Sequence, residues 1–176
     1  MNNAAWASEA TAAKVKEMKT TQRVRVLCPI DFDVNSLAAL DLARDLVREN
    51  GGTLYVLHVV RPPNPVVIPA PMLLERASHF ARIRLDEVAL ESLGDIDHRL
   101  LLRAGRPAQQ IINAIREFDA HMVVMATHGR SGVPRFFLGS VAESVIRESP
   151  CPVLTNRGVA KIRSERGETQ PETVGS

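Results

Sequence analysis

The chain contains little cysteine, few aromatic residues and almost no net charge. Its two cysteines, Cys28 and Cys151, are too few for a disulfide framework and lack the spacing of a metal site, so we expect buried or half-buried free thiols. One tryptophan, one tyrosine, five phenylalanines and a net charge of +2 provide neither a basic surface nor the interleaved rings that stack on bases. We therefore expect no nucleic-acid partner.

Long apolar stretches are also absent. No run approaches the roughly 18 consecutive apolar residues of a transmembrane helix, and Met1 to Thr20 lacks the apolar core of a signal peptide. These absences predict a cytoplasmic protein with no membrane association. The length of 176 residues suits one domain. Composition predicts a flexible N-terminal tail over 1–22, a domain over 23–156 and a disordered C-terminal tail over 157–176.

Between these tails, short apolar runs alternate with segments of helical periodicity. Helices are predicted after Asp33, after the proline-rich loop 61–71, from Pro107 and from Ser140. The predicted strands are 24–30, 53–60, 99–103, 121–126 and 152–155. This alternation predicts a doubly wound α/β fold, in which helices cover both faces of a parallel sheet. Ligands bind such sheets at the carboxyl ends of the strands, where the winding direction reverses.

The most distinctive segment is the glycine-rich stretch 125–140, which joins the fourth predicted strand to the last predicted helix. Its three glycines let the backbone approach a ligand, and the free amides at a helix N-terminus attract anions. A phosphate site is one interpretation. The other is structural, because Ser140 and Glu143 fit a capping box.

These segments resemble the universal stress protein family. The matching runs are 28–36, 54–59, 105–108, 125–132 and 138–154. Family members that bind ATP carry Gly-x-x-Gly, nine residues, and then Gly-Ser or Gly-Thr. Gly129, residues 130–138 and Gly139-Ser140 match this motif, whereas Ala126 replaces its first glycine. The resemblance implies the adenine nucleotide alpha hydrolase-like sheet, with strand order 3-2-1-4-5, a nucleotide between strands one and four, and a homodimer.

The resemblance also implies the binding residues for ATP or another adenine nucleotide, with Mg²⁺ as a candidate companion of the phosphates. The ribose-binding carboxylate is Asp31, and Val59 meets adenine through its backbone. The other implied contacts are Pro29, Ile30, Met125, Ala126, Gly129, Gly139, Ser140 and Val141. From the residues themselves, a carboxylate at the end of strand one can accept hydrogen bonds from two ribose hydroxyls. Its alternative role is a helix cap, for which Asp33 and Asn35 are better placed.

No catalytic motif is present in the sequence. The Gly-Lys-Ser or Gly-Lys-Thr of a P-loop NTPase and the His-x-Gly-His of an adenylyl-transferring relative are absent. A response-regulator phosphoacceptor is disfavoured, because Arg103 and Thr155 stand where it requires an aspartate and a lysine. Two hypotheses remain: a non-catalytic stress-response regulator that binds nucleotide, and a dimeric interaction scaffold that does not bind ATP. The dimer would form through the last strand, at a sheet edge.

Overall fold

The computed structural model describes residues 23–62, 70–127 and 139–156. The two predicted tails, 1–22 and 157–176, lie outside this described part. Most of the glycine-rich stretch, 128–138, also lies outside it, and so does the segment 63–69.

Five strands and four helices alternate along the described chain. They are β1 (Val24–Ile30), α1 (Val34–Asn50), β2 (Gly52–Val60), α2 (Ala70–Ser92), β3 (His98–Ala104), α3 (Pro107–Glu117), β4 (Met122–Ala126), α4 (Ser140–Glu148) and β5 (Val153–Asn156). All strands are parallel, in the order β3-β2-β1-β4-β5. The predicted fold class and strand order are therefore confirmed. The chain winds outward from β1 to β3 and then crosses to β4, so the winding reverses between β1 and β4.

The sheet is buried on both faces, as the uninterrupted apolar runs of its inner strands predict. On one face, Val26, Cys28 and Val56 pack against Leu40 of α1 and Leu85 of α2. The opposite face packs against α3 and α4, with a core built from Leu27, Leu57, Ile111, Ile115, Val123 and Val145. Two helices on each face make this a doubly wound sheet.

Local signals set the helix ends. Asp33 caps α1, because its Oδ1 accepts a hydrogen bond from the Asn35 amide at 2.9 Å. Gly51 and Gly52 end this helix with φ values of 68° and 144°. A side chain at Gly52 would collide with the backbone of Val24, so the turn into β2 requires glycine. Pro107 is the first residue of α3, as predicted.

One boundary differs from the prediction. The loop expected over 61–71 ends earlier, because α2 already begins at Ala70. Pro71 lies in the first turn of this helix, where the missing amide proton removes no intrahelical hydrogen bond. None of the helices in the described ranges has the combined length and apolar character that crossing a bilayer requires.

Candidate functional site

A cleft of about 610 Å³ opens at the carboxyl ends of the strands, where the winding reverses. Residues after β1, at the ends of β2 and β4 and at the start of α4 line it together. Nine of the residues named from the sequence are among them: Pro29, Ile30, Asp31, Val59, Met125, Ala126, Gly139, Ser140 and Val141. The tenth, Gly129, lies outside the described residues. Segments about 110 residues apart in the chain thus meet in one cavity.

Asp31 enters this cleft from the turn between β1 and α1. Its amide donates to Oγ of Ser36 at 3.2 Å, and its Oδ1 accepts from the amide of Asp33 at 3.1 Å. In the described part of the chain, Oδ2 of Asp31 makes no hydrogen bond. Asp33 performs the capping role for α1, so the capping alternative for Asp31 is not the arrangement found. One carboxylate oxygen is engaged locally and the other remains available to a ligand.

The end of β2 projects past its neighbour β1. Pairing between the two strands ends at Ile30 and His58, one residue before Val59. On the other side, β2 continues to pair with β3 through Val60. The backbone of Val59 therefore reaches the cleft beyond the end of β1, and its side chain packs against the α3 and α4 face.

The first turn of α4 forms the opposite wall of the cleft. Gly139 is the N-cap residue, with φ −63° and ψ 143°, and as a glycine it has no side chain with which to cap this helix. Ser140 is the first helical residue and not the N-cap, so the capping box of Ser140 and Glu143 does not form. The Glu143 amide donates instead to the Gly139 carbonyl at 2.9 Å. The first amides of a helix have no acceptor within it. Those of α4 lie beside the cleft, where an anion can accept from them.

Ala126 ends β4 and lies at the floor of the cleft. Side chains alternate between the faces of a strand, and Met125 belongs to the α3 and α4 face whereas Val124 belongs to the other. This alternation places the Ala126 methyl on the α1 side of the sheet. Ile30 and Ser36 line the cleft on that same side. The departure from the motif therefore affects the part of the cleft nearest the start of α1.

The family model that matches this sequence is the universal stress protein family, and it covers residues 23–157. The chain belongs to the universal stress protein family. A universal stress protein of Thermus aquaticus is 32% identical over 136 residues, which are 75% of this chain and 97% of that protein. A Methanocaldococcus jannaschii relative is 32% identical over 137 residues, covering 74% of this chain and 79% of its own length.

Solved universal stress protein structures share the fold. UspA from Lactobacillus plantarum superposes with a TM-score of 0.65 at 22% identity, covering 78% of this chain and 99% of its own. A family member from Burkholderia pseudomallei gives a TM-score of 0.62 at 21% identity, covering 77% and 97%. These similarities agree with the sheet order found in this universal stress protein.

Several cleft residues of this universal stress protein were not identified from the sequence. Arg61 follows β2 at the carboxyl edge and is exposed at the cleft. Its position directly after a strand end is a signal that could have identified it. The other residues come from both faces of the sheet and from the strand ends: Ser36, Leu57, His58, Val60, Ala77, Pro107, Ile111, Thr127 and Ala142. Helix packing brings Ala77 and Ile111 to the cleft, and no local motif marks them.

His58 makes a structural hydrogen bond, and both cysteines are free thiols. Nδ1 of His58 donates to the Ile30 carbonyl at 2.9 Å, a structural hydrogen bond between the ends of β2 and β1. Cys28 is a fully buried free thiol, and burial raises its pKa far above the ordinary value. Cys151 is a half-buried free thiol, as predicted. Within the described ranges, no three histidine, cysteine, aspartate or glutamate side chains form a metal-binding group.

Proposed function

We propose that this universal stress protein is a dimeric stress-response regulator that binds an adenine nucleotide (ATP, ADP or AMP) in the cleft between β1 and β4. One observation carries the proposal. The available carboxylate oxygen of Asp31 and the first turn of α4, which follows a glycine N-cap, belong to the same 610 Å³ cavity. A nucleotide needs an acceptor for its ribose hydroxyls and a cationic or amide-rich site for its phosphates, and this cavity supplies both.

The cleft fits a nucleotide in size and in the character of its walls. Small-molecule sites have volumes of about 300–1,000 Å³ and are mostly apolar, with a few well-placed polar groups. Here the apolar surface includes Val59, Ile111, Met125 and Val141, which can pack against a base. The polar groups come from the turn after β1 and from the backbone amides at the start of α4.

The proposed roles follow this division of the cleft. Asp31 accepts the ribose hydroxyls, and the backbone of Val59 hydrogen-bonds the adenine edge. The amides of Ser140 and Val141 donate to the phosphates, and Arg61 adds positive charge at the cleft. Gly129 is assigned to the phosphates by its place in the motif. Any Mg²⁺ would accompany the phosphate oxygens.

A solved relative supports this choice of ligand. A universal stress protein with a TM-score of 0.59 and 22% identity was determined in complex with cAMP, and the match covers 77% of this chain and 98% of that one. That ligand contains the adenine, ribose and phosphate groups for which the present cleft offers partners.

The proposed regulator acts through occupancy of the cleft and through its dimer, without catalysis. β5 is an edge strand of the sheet, and Leu154 on it is 38% exposed. Pairing of two such edges around a two-fold axis would cover both strands. The free thiols of Cys28 and Cys151 agree with a cytoplasmic location, where thiols stay reduced. The second candidate is the same dimer as an interaction scaffold that binds no ATP, which the substitution at Ala126 favours.

Two measurements test the nucleotide proposal. Gentle lysis and purification, followed by extraction and mass spectrometry, should identify a co-purified adenine nucleotide. Calorimetric titration of the protein with ATP, ADP and AMP should give saturable heat, and inorganic triphosphate serves as the control for binding by phosphate alone. Absence of heat and of any thermal shift with all three nucleotides at millimolar concentration would favour the scaffold.

A further inference from the structure

The turn that carries Asp31 contains a residue in an unusual conformation. Phe32, the next residue, has φ 64°, in the left-handed region that bulky side chains rarely adopt. Such a conformation persists only where the surrounding structure holds it in place. The contacts of Phe32 therefore determine whether this turn keeps its shape.

Two side chains from other elements hold the Phe32 ring. The His58 ring at the end of β2 packs against it, with centroids 4.4 Å apart and an angle of 34° between the planes. On α2, the Arg84 guanidinium carbon lies 5.1 Å from the centroid of the Phe32 ring, in cation–π geometry. We call Arg84, Phe32 and His58 the turn stack. It connects α2, the turn after β1 and the end of β2.

The turn stack restrains both neighbours of Asp31. The carbonyl of Ile30, on one side, accepts a hydrogen bond from His58 at 2.9 Å. Phe32, on the other side, contributes the ring of the stack, and the following Asp33 amide donates to Oδ1 of Asp31. Neither Phe32 nor Arg84 lines the cleft, so both can act on a ligand only through the residues they hold.

We infer that Phe32 and Arg84, together with His58, are positioning residues that hold the Asp31 carboxylate in the orientation that receives a ligand. The identity of this ligand as an adenine nucleotide rests on the proposed function. Without the stack, Asp31 would retain its charge but sample several orientations, and binding would then require the turn to be ordered again. Weakening the stack should therefore lower affinity without removing any group that touches the nucleotide.

Two substitutions are chosen to weaken the stack with little change elsewhere. Phe32→Leu removes the aromatic face and keeps an apolar side chain, and Arg84→Met removes the guanidinium from an exposed helix position. The matched controls are Phe80→Leu and Arg82→Met, the same chemical changes at exposed positions of α2 that do not line the cleft. In calorimetric titrations with ATP, each stack variant should bind about three- to tenfold more weakly than wild type. The controls should bind like wild type.

A double-mutant cycle separates positioning from a general loss of structure. In an Asp31→Ala background, Phe32→Leu should cause no further loss of ATP affinity, because the carboxylate that it positions is gone. An equal loss in both backgrounds, or wild-type affinity in both stack variants, would overturn the inference.

A measurement without nucleotide covers the case in which the wild-type protein binds none. Amide exchange at Asp33, whose amide donates to Asp31, should be about tenfold faster in Phe32→Leu. The Leu54 amide, bonded to the Asp97 carbonyl at the opposite edge of the sheet, is the internal control and should not change. Faster exchange at Asp33 in a protein that binds no nucleotide would support the turn stack and reject the proposed ligand. Unchanged exchange at Asp33 would reject the positioning role.

Discussion

Replacing Asp31 with alanine should separate ligand binding from folding. The substitution removes both carboxylate oxygens, of which Oδ1 bonds the Asp33 amide and Oδ2 is available to the ligand. A hydrogen bond to a charged group contributes about 1.5–3 kcal/mol, so the Kd for an adenine nucleotide should rise roughly 10- to 150-fold. The folded protein loses one half-buried hydrogen bond, worth about 1 kcal/mol, and its Tm should fall by only about 2–8 °C.

The neighbouring Asp33 provides the matched control. Its Oδ1 accepts from the backbone amide and the side-chain amide of Asn35, both at 2.9 Å, and it does not line the cleft. Loss of this helix cap in Asp33→Ala should cost about 0.5–2 kcal/mol of folding free energy, with little change in affinity. The two variants should therefore lose similar amounts of folding free energy, whereas only Asp31→Ala should lose much nucleotide affinity.

Calorimetric titration with ATP gives the affinities, and thermal unfolding of the free proteins gives the stabilities. If Asp31→Ala binds as tightly as wild type, its assignment to the ribose is wrong. If Asp33→Ala loses as much affinity as Asp31→Ala, the loss reflects disruption of the turn and not removal of a ligand contact.

Three further predictions concern other parts of the molecule. Ala126→Gly should tighten ATP binding at least severalfold in calorimetry, because a methyl that crowds the ligand on the α1 side of the cleft costs roughly 1–3 kcal/mol. An unchanged affinity would show that the methyl does not crowd the ligand. Light scattering at tens of micromolar protein should show a dimer for the wild type and a monomer for Leu154→Asp, because this substitution puts a charge on the exposed edge strand β5. A monomeric wild type would reject the proposed dimer. A thiol reagent at pH 8 should modify Cys151 well before Cys28, because the Cys28 thiol is fully buried and its pKa is raised. Equal modification rates of the two cysteines in the native protein would contradict the burial of Cys28.

The sequence by itself determined the secondary structure and the general location of the site. Apolar β-branched runs and helical spacing depend on residues close together in the chain, so β1 was predicted with the bounds that the structure shows. The helix start at Pro107 was predicted from an equally local signal, and the glycines 51 and 52 that end α1 are also local. The rule for doubly wound sheets then predicted a ligand site at the carboxyl ends of the strands, where the structure has its cleft. The strand order itself came from the family resemblance, because periodicity does not state which strands pair.

Only the tertiary structure decided how the cleft is completed. Ser140 and Glu143 match a capping box in sequence, which would make Ser140 the N-cap residue. In the structure the N-cap is Gly139 and Ser140 is already helical, because the backbone conformation decides where a helix starts. The turn stack depends on contacts among β1, β2 and α2, such as the hydrogen bond from His58 to Ile30 across 28 positions of sequence. Contacts of this kind form only after strands have paired and helices have packed. A local pattern therefore identifies Asp31 as a candidate, and packing between distant segments decides which way its carboxylate points.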